Sequence, residues 1–156
     1  MFVRYYLDLS VAFLDAEASL LEDPATWVPG MLEAAEDRGE RLLAEVGFAV
    51  EARRIGLEVE IALGEPYRLE SRTLLPMTWR AAGPERLFPQ LDADLEIAAL
   101  GPQRTQLAIS ARYRPPLGAL GRVLDRALLH RVAEATIKDF LDRVGERVGA
   151  RAPSIT

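Results

Sequence analysis

A chain of 156 residues has the length of one domain, and its 49% hydrophobic and 28% charged residues argue against wholesale disorder. A net charge of -5 with no basic run leaves no face suited to neutralising phosphates, so nucleic acid is not an expected partner. No cysteine is present, which excludes disulfides, thiolate metal sites and cysteine nucleophiles. The single histidine, His130, excludes a two-histidine zinc site.

Residues 1–9 include Arg4 and Asp8 and lack the apolar region of a signal peptide. No stretch reaches the length of a membrane span, so the expected location is the cytoplasm. Phe2–Leu9 reads as a strand, with Val3, Tyr5, Leu7 and Leu9 on one face and Arg4 and Asp8 on the other. Two short helices are expected next. The first is Asp15–Glu22, closed by Asp23-Pro24. The second is Met31–Val46, stopped by Gly47.

Four alternating strands follow. Arg54–Leu63 puts Ile55, Leu57, Val59, Ile61 and Leu63 on one face. Tyr67–Arg80 puts Leu69, Ser71, Thr73, Leu75, Met77 and Trp79 there, with a bulge or an edge expected at Pro76, which has no N–H to donate. Leu91–Leu100 turns Ala93, Leu95, Ile97 and Ala99 inward and Asp92, Asp94 and Glu96 outward. Arg104–Arg114 turns Thr105, Leu107, Ile109, Ala111 and Tyr113 inward. The turns Gly64-Glu65-Pro66, Ala82-Gly83-Pro84 and Gly101-Pro102 are short enough for an antiparallel meander.

After Pro115-Pro116, Leu117 to about Val148 is the longest helical pattern. Its apolar residues fall on two sides. Leu117, Leu120, Leu124, Leu128 and Ala135 share one; Ile137, Phe140, Leu141, Val144 and Val148 share nearly the opposite one. Either the helix breaks near His130–Ala135, or its first half meets something other than the sheet. Residues 1–150 thus form one domain and 151–156 a short polar tail.

A sheet apolar on one face must cover that face, and the last helix is the element long enough to do so. The expected fold is α+β of the helix-grip kind, a curved antiparallel sheet wrapped around a long C-terminal helix with two short helices after the first strand. The chain resembles the START-like superfamily, also called SRPBCC, which includes polyketide cyclases, lipid-transfer domains and plant pathogenesis-related allergens. The resemblance covers nearly the whole chain. It is carried by Leu21–Trp27, by the four-strand run, and by Tyr113–Gly121 leading through Asp125-Arg126 into the last helix. It implies a deep apolar cavity between the concave sheet and that helix. No catalytic motif of the superfamily maps onto these residues.

On this reading the ligand-binding candidates are Tyr5, Trp27, Val59, Ser71, Thr73, Leu75, Trp79, Leu95, Ile97, Leu107, Ile109 and Tyr113. Pockets of this kind combine an apolar lining with a few polar groups. The hydroxyls of Ser71, Thr73, Thr105, Tyr5 and Tyr113 could orient a ligand's oxygens, or could bond to backbone, water or each other. Trp27, Trp79 and Met77 serve equally as cavity wall or core. His130 has no evident acid partner and reads as a surface residue. Asp92, Asp94 and Glu96, with Glu58 and Glu60, alternate with inward residues. They are expected to face solvent opposite Arg68, Arg72, Arg112 and Arg114 rather than hold a metal.

No catalytic residue, metal or cofactor is assigned. Three functions remain open. They are non-enzymatic binding or transport of a hydrophobic small molecule such as a lipid or polyketide, an aromatase or cyclase that works by positioning a polyketide, and an interaction module, for instance a homodimer through the first half of the C-terminal helix.

Overall fold

A computed structural model describes residues 2–22, 24, 27, 43–50, 53–81, 90–114 and 126–151. The elements in chain order are β1 (Phe2–Leu9), α1 (Phe13–Glu22), β2 (Leu43–Val50), β3 (Arg53–Leu63), β4 (Tyr67–Arg68), β5 (Arg72–Ala81), β6 (Gln90–Gly101), β7 (Arg104–Arg114) and α2 (Arg126–Arg151). The strands form one antiparallel sheet in the order β1-β7-β6-β5-β3-β2, with β4 pairing to β5 off this path.

Register turns the alternation into rows across the inner face. Ile61, Trp79, Leu91 and Tyr113 form the first row. Leu63, Met77, Ala93, Ala111 and Val3 form the second, and Leu75, Leu95, Ile109 and Tyr5 the third. Thr73, Ile97, Leu107 and Leu7 form the fourth, and Ala99, Thr105 and Leu9 the fifth. Most of these side chains are buried in one core with Ile137, Phe140, Leu141, Val144 and Val148 of α2. Those five are the set that shares one side of the helix in sequence.

Four expectations change. The second short helix was expected over Met31–Val46, but Leu43–Val46 belongs to β2. Gly47 lies opposite Gly56 in the ladder with β3 and stops nothing. Leu42, Leu43 and Val46 fit a helical period locally. Val46, Phe48 and Val50 also fit a period of two, and pairing with β3 selects the strand. Residues 31–42 lie outside the described residues.

Next, the expected single strand Tyr67–Arg80 is two. The N–H of Leu69 donates to the carbonyl of Arg72 at 2.7 Å, closing a turn that ends the alternation. Leu69 and Ser71 are consequently exposed rather than inward. The last inward residue expected on β6, Ala99, is also exposed, just before the register shift between Ala99 and Gly101. Finally, α2 runs unbroken through His130–Ala135, and Ala135 is exposed. Leu117, Leu120 and Leu124 fall outside the described residues, as does the side chain of Leu128.

Pro76 meets the second of its two expectations. Its pairing with Asp94 of β6 is in register, so no bulge forms there. On its other side the ladder with β3 ends at Met77, and that with β4 begins only at Leu74. The missing donor falls in this gap, while the Pro76 carbonyl accepts from Gly64 N–H at 2.8 Å.

The helix α2 approaches the sheet unevenly. Its backbone comes close to β1 and β7 at one edge and to β2 at the other, while β6, β5 and β3 in the middle stand farther off. Near its C-terminal end Gly145 permits the closest approach. A Cβ there would lie 2.9 Å from Leu7 Cδ1 and 3.5 Å from Leu9 Cδ2 of β1.

Candidate functional site

The space between the central strands and α2 is taken up by large side chains. Trp79 of β5 and Phe140 of α2 meet edge to face, with ring centroids 5.2 Å apart and planes at 74°. Around them Val59, Leu95, Ile97, Leu107 and Ile109 are 0% exposed and Leu75 3%. Seven of the twelve candidates, those six and Trp79, therefore share one apolar layer. Thr73 and Tyr113 border it at opposite ends, in the fourth and first rows.

The polar groups bordering this layer are largely committed to the protein. The Thr73 hydroxyl donates to Glu17 of α1 at 2.5 Å. The Thr105 hydroxyl donates to the Val11 carbonyl at 2.8 Å. These bonds tie α1 and the segment before it to the far end of the inner face. Trp27 is fully buried, and its indole N–H donates to the Leu20 carbonyl at 2.7 Å. That carbonyl lies in the last turn of α1, where backbone acceptors have no partner inside the helix. Trp27 thus closes α1. By contrast, the indole Nε1 of Trp79 is a buried side-chain polar atom without a hydrogen-bond partner, and no other such atom occurs among the described residues.

One tyrosine, Tyr5, joins sheet to helix, and a second, Tyr113, feels the charge of a helix residue. The Tyr5 hydroxyl donates to Asp142 Oδ1 at 3.0 Å, and Lys138 Nζ lies 5.6 Å from the Tyr5 ring centre and 3.2 Å from Asp142 Oδ2. Burial first, and then the hydrogen bond and charge of Asp142, push the Tyr5 phenol above its ordinary value, partly opposed by Lys138. Burial and then the Glu134 carboxylate push Tyr113 in the same direction. Glu134 also lies 2.9 Å from His130 Nε2, so His130 does have an acid partner. The sequence reading missed it, although a carboxylate four residues ahead on a helix is a readable signal.

These shifts set a pH dependence. A raised phenol pKa means that the folded state holds its proton more tightly than the unfolded chain does. The contribution is complete below the ordinary value of 10.0 and is lost as pH rises through and beyond it. Stability measured by urea unfolding should therefore fall between pH 9 and pH 11. The Tyr113→Phe variant should fall less steeply. Equal slopes for the two proteins would show that Tyr113 ionises as freely folded as unfolded.

A groove of about 630 Å³ opens on the opposite, outer face of the sheet. Its floor is the row Ala62, Thr78, Asp92, Arg112 and Phe2, beside Gly64, Pro76, Asp94 and Ser110. The short side chains of Ala62, Thr78 and Ser110 leave room there. It is open to water and crossed by charge, so it is not the enclosed apolar cavity expected from sequence. The expected charge pairing occurs on this face, as Arg72 with Glu96 at 4.0 Å and, at the groove, Arg114 with Asp92 at 3.8 Å. No cluster of metal-ligating side chains occurs among the described residues, and no helix among them is long and apolar enough to cross a membrane.

No family model matches the chain, and no curated protein does. Solved structures do. The Zhui aromatase/cyclase from Streptomyces sp. R1128 is 12% identical, with a TM-score of 0.59 over 99% of this chain and 96% of that one. A hypothetical protein from Helicobacter pylori gives 10% identity and a TM-score of 0.57, over 98% of this chain and 88% of that one. A conserved protein from Geobacillus kaustophilus gives 14% and 0.56, over 96% of each chain. Identities this low speak to fold and not to chemistry. Together with the sheet order and the long helix α2 packed against the sheet, they show that this chain shares their fold, an antiparallel sheet closed by a C-terminal helix in the helix-grip manner.

Proposed function

We propose that this protein binds a hydrophobic small molecule between the inner face of its sheet and α2, and holds or carries it without transforming it. The observation that carries this reading is the uneven seating of α2. The helix rests on both flanks of the sheet while β6, β5 and β3 stand farther from it. The layer between is apolar, as the lining of ligand sites mostly is. Val59, Leu75, Trp79, Leu95, Ile97, Leu107 and Ile109 form its walls, with Tyr5 and Tyr113 at the helix side. Thr73 and Trp27, whose polar atoms are already bonded, shape the site rather than contact ligand oxygens. Ser71 is exposed and drops out of the proposed lining.

The described side chains of this layer are almost wholly buried, so a guest must displace some of them. Met77, unbranched and 1% exposed, is the group best suited to give way. The outer groove is a poorer host. An apolar molecule there would leave much of its surface in water and would lie against Asp92, Asp94 and Arg112.

Native mass spectrometry of freshly purified protein, followed by denaturing extraction, tests the proposal. The expected result is an extra mass that extracts as an apolar compound, or uptake of one from a panel of fatty acids and aromatic ketones. A clean protein mass with no uptake from that panel would refute it. Conversion of a bound polyketide to a product of different mass would replace it with a cyclase.

A further inference from the structure

We infer that Trp79 is the polar anchor of this site, and that the ligand it selects is a neutral, ring-bearing molecule with a carbonyl oxygen rather than a hydrocarbon or a carboxylate. The inference rests on the binding reading given above and names its ligand class. Its starting point is the indole Nε1, the one buried side-chain polar atom without a partner among the described residues. The residue is 2% exposed.

Burying a donor without an acceptor is costly, and most buried donors in folded proteins avoid it. Trp27 does so in this chain by donating to the Leu20 carbonyl at 2.7 Å. A trapped water would be a poor substitute at Trp79, because a buried water needs two to four polar partners. The flanking residues in the row are Ile61 and Leu91, and the ring contact is Phe140. None of the three side chains has a polar atom. A ligand oxygen needs only the one donor.

The same surroundings decide the ligand's charge. A carboxylate buried here would need a cation or several donors. Two other buried side chains with a donor on the sheet's inner face, Thr73 and Thr105, already spend theirs on Glu17 and the Val11 carbonyl, and a third, Tyr113, feels the negative charge of Glu134, which opposes a second carboxylate beside it. Lys138 is exposed and occupied with Asp142. A neutral carbonyl matches one indole N–H. The edge-to-face geometry of Trp79 and Phe140 favours a planar ring beside it, because aromatic rings pair best offset or edge to face.

Fluorene and 9-fluorenone test this, since they differ only by a CH2 against a C=O. Affinities are measured by equilibrium dialysis for the wild type and for Trp79→Phe, which keeps an aromatic ring but has no donor. The wild type should prefer the ketone by about two- to tenfold, the worth of an ordinary hydrogen bond. In Trp79→Phe the preference should vanish or reverse, because the ketone would lose water without gaining a partner.

The two tryptophans give a second readout that needs no variant. In an indole 15N–1H spectrum of the wild type, 9-fluorenone should shift one indole resonance and leave the other, that of Trp27, in place. Equal affinities in the wild type, a ketone preference that survives in Trp79→Phe, or no indole shift with 9-fluorenone bound would each overturn the inference while leaving hydrophobic binding intact. Failure of both probes to bind a wild type that takes up a fatty acid would overturn this inference alone, whereas failure of the probes and of the whole panel would remove the binding reading with it.

Discussion

Phe140→Ala is expected to destabilise the fold by about 3–5 kcal/mol, the usual cost of truncating a buried aromatic to alanine. Phe140 is 1% exposed and is the α2 side chain that reaches the Trp79 ring. Its removal takes away apolar burial, an aromatic pair worth about 0.5–1.5 kcal/mol, and the support of Trp79. The surrounding β strands cannot readily close the space, because their hydrogen-bonded register holds them in place. A domain with about 5–15 kcal/mol of total stability would keep its fold with a clearly lower urea midpoint. Far-UV circular dichroism is the suitable probe, since tryptophan emission would change for local reasons. Leu14→Ala is the control. Leu14 is 73% exposed, so its truncation should stay within about 0.5 kcal/mol. A loss below about 1 kcal/mol for Phe140→Ala would mean that α2 does not pack on β5 as described.

The two glycines near the end of α2 should respond in opposite ways. Gly149 has nothing within 4 Å of where a Cβ would sit. Gly149→Ala should therefore stabilise by about 0.5–1 kcal/mol through helix propensity. At Gly145 the same gain is set against a Cβ 2.9 Å from Leu7 Cδ1. That atom is the end of a flexible, half-buried side chain, so Gly145→Ala should come out near zero. Gly145→Leu adds three more heavy atoms against Leu7 and Leu9 and should cost about 1–3 kcal/mol by overpacking. It should also strain the neighbouring contact between Tyr5 and Asp142, because it pushes the same stretch of helix off β1. Thermal unfolding of the three variants checks this. A Gly145→Leu protein as stable as wild type would show that α2 does not need glycine to seat on β1.

Side-chain alternation is local information, and the partners a side chain finds across the fold are not. The inward faces of β1, β6 and β7 could be read almost residue by residue, because side chains alternate strictly along a strand and these strands carry long apolar and polar alternations. The buried side of α2 was readable for the same kind of reason, in Ile137, Phe140, Leu141, Val144 and Val148. The exceptions lie where periodicity is short. Leu43–Val46 fits both a helix and a strand until β3 lies alongside it. Ser71 looks inward by alternation until the turn from Leu69 to Arg72 interrupts the count.

The candidate site was legible as a set of inward residues but not as an environment. Composition and alternation by themselves determined an antiparallel sheet with a long covering helix, because burying one face of each strand leaves few other arrangements. Only the tertiary structure decided how the polar atoms on that face are used. Thr73 finds Glu17 from 56 residues away and Thr105 finds the Val11 carbonyl from 94. Tyr5 finds Asp142 from 137 away. Hydrogen-bond partners this distant in sequence follow no local period. The same holds for the unpartnered indole of Trp79, which looks like any other tryptophan until the apolar row, Phe140 and the seating of α2 surround it.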